Sequence, residues 1–145
     1  MIKKIIINNI ISIVIHVILC LLTHFILIVN WYSMSQTVVT VINVIFAIVI
    51  PVLYIICGRY FLYNTKSIKN NILSVIFLPV IFIISYLAPM FSLELSNLGV
   101  LNASVMPLAL LTFFFPLLTF FVILFLPSVS LFIGVISKKS IEEIE

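Results

Sequence analysis

The sequence predicts an all-α fold: an integral membrane bundle of four transmembrane helices, up-down-up-down, with both termini cytoplasmic. Three observations predict it. Of the 145 residues, 65% are hydrophobic and only 8% are charged. The mean hydropathy is +1.47, concentrated in four long apolar runs. Every Lys and Arg falls on one side of those runs. A soluble domain carries about 25% charged residues, so this chain has too little polar side chain to cover a water-facing surface. Composition therefore excludes a soluble enzyme, a nucleic-acid-binding domain and a disordered chain.

The first span covers about residues 5–29 and holds no charged residue. At 1.5 Å per residue it is about 37 Å long, enough for a hydrocarbon core of about 30 Å with some tilt. It is longer than the apolar region of a secretory signal and lacks the small-residue cleavage site, so it is expected to remain in place. The second span covers 37–57 and the third 71–90. The fourth covers about 108–136, inside an apolar run that starts near Met106, with the straight crossing closer to Leu111–Ile133. Pro51, Pro79, Pro116 and Pro127 fall within the last three spans and are expected to kink them, since each removes a helix donor. Hydroxyl and amide side chains such as Thr40, Asn43, Thr112 and Thr119 are of the type that re-satisfies freed carbonyls. The connections read as polar loops, 30–36, 58–70 and 91–105, and all are too short for a soluble domain. The 145 residues thus form a single membrane domain.

Orientation follows from the cations. Lys3 and Lys4 precede the first span, Arg59, Lys66 and Lys69 lie between the second and third, and Lys138 and Lys139 follow the fourth. These are all 7 Lys and Arg residues of the chain. The other two connections carry none, and a short-loop cation bias sets cytoplasmic orientation. The same cations attract anionic lipid headgroups on the cytoplasmic side. Trp31, Tyr32 and Tyr86 are expected at the outer interface, and Tyr54, Tyr60 and Tyr63 at the inner one. A composition rich in Ile, Phe, Asn and Lys fits an AT-rich genome and places the expectation in the cell membrane of a low-GC bacterium.

Proline-broken helices in the other three spans could expose carbonyls for ion coordination, but the most informative candidate constellation lies in the first span. Advancing 100° per residue, Ser12, His16, Cys20 and Thr23 share one face, with Asn9 and His24 at its edges. Polar groups in hydrocarbon need partners, so the stripe should face the bundle interior or a wet cavity. Three readings stand beside one another: hydrogen-bonding glue between helices, a proton relay through His16, and a soft metal site using His16 and Cys20. His24 lies about 12 Å along the axis from His16, too far to share an ion with it, and the other spans offer no further His.

The chain has no Asp, and three of its four acids, Glu142, Glu143 and Glu145, lie in the last four residues. Glu94 is in an outer connection. Paired-carboxylate catalysis has no site. Small four-span multidrug transporters match in length and span count, but they couple to protons through a carboxylate in the first span, which is absent here. Cys20 and Cys57 fall at different depths, which argues against a redox pair.

No catalytic, cofactor or metal residue is assigned. The expected role is a non-enzymatic accessory, regulatory or immunity-type protein acting through helix contacts, with a membrane-protein partner or a homo-oligomer and no nucleic acid. The alternative is an oligomeric small transporter or channel.

Overall fold

Apolar runs free of charge have one local way to pair every backbone N–H and C=O, the α-helix. The computed structural model describes residues 2–31, 35–65, 67–91 and 116–142, and over these the chain is all-helical apart from short connections. Helix α1 is Ile2–Trp31 and α2 is Gln36–Phe61. Both are long and apolar enough to cross a membrane. A short α3, Ile68–Leu73, and α4, Phe77–Phe91, form one stretch interrupted at 74–76. The last helix, α5, is Pro116–Glu142. Several residues named above lie outside the described ones: Tyr32, Lys66, Glu94, the start of the fourth run through residue 115 with Thr112, Glu143 and Glu145. The side chains of Trp31, Tyr86, Thr119 and Lys139 do too.

Helices α1 and α2 contain the runs expected at 5–29 and 37–57, and α2 continues one turn further to Phe61. Pro51 and Pro127 each sit inside a helix that continues past them. The third run, expected to kink at Pro79, is instead interrupted at 74–76, before the proline. Pro79 has no N–H to give the Val75 carbonyl four residues earlier. That carbonyl accepts instead from the Leu78 N–H at 3.3 Å and from the Ser128 hydroxyl at 3.3 Å. The Val75 N–H turns to the Ile72 carbonyl at 3.1 Å, a tighter i→i−3 bond. Proline acts here by breaking the helix one turn before itself.

Helices α1 and α2 run antiparallel, since residue 8 meets 63 and residue 16 meets 54. The α3–α4 stretch runs in the same direction as α1, with residue 9 against 73 and 16 against 82. The core is shared by all of them: Ile15 and Leu19, Ile50 and Tyr54, Val75 and Leu78, Leu131 and Val135. The tightest crossing joins α2 to α5. A Cβ on Gly58 would collide with the Leu131 carbonyl oxygen, and one on Gly134 with the Ile55 carbonyl oxygen and the Arg59 nitrogen. Two glycines thus let the backbones touch where any side chain would push them apart.

Candidate functional site

The polar residues of α1 lie in the interior. Asn8, Asn9, Ser12, His16, Cys20 and Thr23 are all buried, so the stripe read from the sequence faces the neighbouring helices. His24 is half-buried at its edge. Along α1 the column divides into a lower amide junction and an upper imidazole cluster.

The junction is built by two adjacent asparagines that sequence reading passed over or left at the margin. Asn9 inserts its amide into the broken helix. Its Nδ2 donates to the Leu73 carbonyl at 2.8 Å, and its Oδ1 accepts from the Phe77 N–H at 3.3 Å. Residues 73 and 77 are the pair that an intact helix would bond directly, so the amide replaces one rung of the ladder. Asn8 makes the equivalent pair of hydrogen bonds to Tyr63, two residues past the end of α2. Its Oδ1 accepts from the Tyr63 N–H at 2.9 Å, and its Nδ2 donates to the Tyr63 carbonyl at 2.8 Å. Nδ2 of Asn8 also reaches Ser74 Oγ at 3.2 Å. Ser12 donates to the Asn8 carbonyl at 2.7 Å, with the Ser74 carbonyl 3.4 Å away.

Beside this junction, Asn71 organises the connection between α2 and α3. Its Oδ1 accepts from the Thr65 N–H at 2.9 Å and the Thr65 hydroxyl at 2.6 Å, and its Nδ2 donates to Asn64 Oδ1 at 3.1 Å.

The imidazole cluster lies about two turns further along α1. His16 Nδ1 is 2.6 Å from the Tyr54 hydroxyl, and the Cys20 sulfur is 3.4 Å from Nε2. One tautomer serves both contacts: Nδ1 accepts from the hydroxyl while the Nε2–H faces the sulfur. Phe82 of α4 packs edge-on to the ring at 4.6 Å between centroids. Tyr54 is fully buried, so it is a core partner of His16 and not a residue of the interfacial aromatic set in which its position near the end of α2 had placed it. Thr23 turns its hydroxyl back to the Leu19 carbonyl at 2.8 Å. Asn43 is buried on α2, and its Oδ1 accepts no hydrogen bond from the described residues.

Neither cysteine is in a disulfide: Cys20 is in the interior beside His16, and Cys57 is half-buried on the side of α2 that faces α1. Among the described residues no three His, Cys, Asp or Glu side chains gather as a metal site would require. Lys3, Lys4 and Lys69 are exposed, and Arg59 and Lys138 are half-buried. The pairings of Asn8 with Tyr63 and of Gly134 with Arg59 put these cations at one end of the bundle. No protein-family model matches the chain, and no characterised protein or solved structure is significantly similar to it.

The cluster is thus one hydrogen bond between α1 and α2, His16 to Tyr54, flanked by the Cys20 contact within α1 and the Phe82 ring of α4. Replacing His16 by Leu should destabilise the purified protein by about 1 kcal/mol, as should Tyr54→Phe, and the two losses should overlap in the double variant. His16→Gln should retain most of the stability, because an amide can also bond the Tyr54 hydroxyl. Equilibrium unfolding of the four variants measures this; fully additive losses would show that the 2.6 Å contact contributes nothing of its own.

Proposed function

We propose that the chain is an integral membrane protein that crosses the bilayer four times with both termini cytoplasmic. In this reading it acts without catalysis, as an accessory, regulatory or immunity-type partner of another membrane protein or of its own copies. One observation carries the membrane reading. The bundle carries many buried polar side chains beneath a broadly apolar exterior, unlike a protein in water. Amides, hydroxyls and an imidazole share the interior with the apolar core, while Ile18, Leu21, Phe25, Ile45, Ile48 and Ile84 face outward. Only 22% of the most apolar stretch of α2 is buried within the chain. In water such a surface would exceed the few hundred Å² of contiguous apolar area that a monomer tolerates. In lipid it is the expected exterior, and the interior hydrogen bonds are what a bilayer demands of a broken helix. The α3–α4 stretch and α5 supply the third and fourth crossings.

The partner reading is supported by how the interior polar groups are used. Asn8, Asn9, Ser12, His16 and Tyr54 bond one another or the backbone of a neighbouring segment. Their hydrogen-bonding capacity is spent on holding the helices together. The outward faces of α1 and α2, in contrast, are broad, apolar and open to a neighbouring helix.

Topology is testable with single cysteines in a variant whose Cys20 and Cys57 are replaced by Ser. Ser33→Cys should react with an impermeant thiol reagent added to intact cells, and Ser67→Cys should react only after lysis. The reverse pattern would contradict the orientation. For the partner reading, cross-linking in the native membrane should yield a stoichiometric adduct with one membrane protein or with a second copy. A chain that stays monomeric and unlinked at every reagent dose would contradict it.

A further inference from the structure

On the side of α1 away from the polar column lies a second feature, a groove of about 370 Å³ between α1 and α2. Ile10, Ile11, Val14 and Ile18 line one wall, and Cys57 and Phe61 the other. The groove face of α1 continues toward its N-terminus into charge. Lys3 and Lys4 stand seven residues before Ile10 and Ile11, a spacing that returns within about 20° to the same face. The rise over seven residues is about 10.5 Å. Both lysines are exposed. Tyr60, 71% exposed, stands beside Phe61 at the same end and offers a phenolic donor.

We propose that this groove seats an acyl chain of an anionic glycerophospholipid whose phosphate rests against Lys3 and Lys4. The inference rests on the membrane reading above and adds a specific occupant to it. Charge decides between a lipid and a second copy of the chain. The first 93 residues hold no acid at all, so the matching face of a copy lying in the same orientation would set lysine against lysine. A phosphate neutralises the pair, and the apolar trough takes the chain attached to it. The polar column of α1 makes its hydrogen bonds to α2 and to the α3–α4 stretch, whereas Lys3, Lys4 and the groove's exposed rim at Ile10, Val14 and Ile18 lie outside the buried core and can be altered without touching those bonds.

The test uses the full chain, extracted in mild detergent and offered an equimolar mixture of phosphatidylglycerol and phosphatidylcholine of equal chain length. Native mass spectrometry then counts the retained lipids. Phosphatidylglycerol should be retained in preference. Lys3→Gln with Lys4→Gln should cut that preference about five-fold per lysine, on the order of 25-fold for the pair. Val14→Trp fills the groove from an exposed position and should abolish retention of both lipids. The paired Gln variant lies outside the packed core, so it reads out the proposal even where the tryptophan lowers stability. Equal retention of the two lipids, or preference unchanged in the Gln pair, would overturn the proposal. A dimer mass that Val14→Trp abolishes would put a second copy in the groove and would also overturn it. Alkaline carbonate washing separates the two levels. A chain released from membranes defeats the membrane reading and the lipid seat together, whereas a chain that stays but shows no lipid preference defeats the lipid seat alone.

Discussion

Two neighbouring amides on α1 hold two places where the described backbone leaves regular helix. Asn8 takes both backbone groups of Tyr63, just past the end of α2, and Asn9 takes Leu73 and Phe77 on either side of the break. Without them these part-buried backbone groups would lose their partners inside the protein, at a cost of up to about 1–3 kcal/mol each where water cannot reach them. Because a primary amide presents donor and acceptor side by side, each can substitute for a backbone partner, which a serine or histidine cannot do as completely. Once residues 63 and 73–77 are fixed to α1, the rest of the assembly follows. The α2–α3 connection is pulled against the start of α1, Ser74 meets Ser12, and Val75 is placed where Ser128 of α5 reaches its freed carbonyl. Proline creates the vacancy, and asparagine fills it.

The same economy shapes the surface. Polar side chains are consumed inside, so the exterior is left almost wholly apolar along the helices and cationic at one end. That division gives the three faces separate tasks in the proposed account. The inner column holds the bundle, the lateral faces meet lipid or a partner, and Lys3, Lys4 and Lys69 meet headgroups. The close glycine crossing of α2 with α5 adds rigidity by packing, independently of the hydrogen bonds. His16 fits this division, since its nitrogens face Tyr54 and Cys20 inside the protein.

The helical class and the long first and second helices were legible because hydropathy and length determine them without tertiary context. The stripe through Ser12, His16, Cys20 and Thr23 was legible for a similar reason: angular spacing on a helix is fixed, and these residues are indeed buried together. Partners were not legible. Tyr54 looks like an interfacial aromatic because its depth is set by counting from the cations, whereas its burial depends on α1 crossing α2 at His16. Asn8 escaped notice because it lies close to Lys4, where a polar residue calls for no explanation. The interruption at 74–76 was expected as a kink at Pro79. Its displacement toward residue 74 depends on Asn9 being available to take the broken rung, a contact between residues 64 positions apart. A stronger signal was present in the composition itself, since adjacent asparagines at the head of an apolar run are costly unless paired.

The central claim is that the amides of Asn8 and Asn9 stand in for missing backbone partners, and site-resolved amide hydrogen exchange tests it most directly. In the native chain the N–H groups of Tyr63 and Phe77 should exchange slowly although neither has a helical carbonyl to bond. Asn8→Ala should release Tyr63, and Asn9→Ala should release Phe77, each accelerating by about five-fold to 150-fold for the loss of a bond worth about 1–3 kcal/mol. Amides in the middle of α2 should change far less. Exchange at Tyr63 and Phe77 that is already fast in the native chain, or that is unmoved by either substitution, would contradict the account.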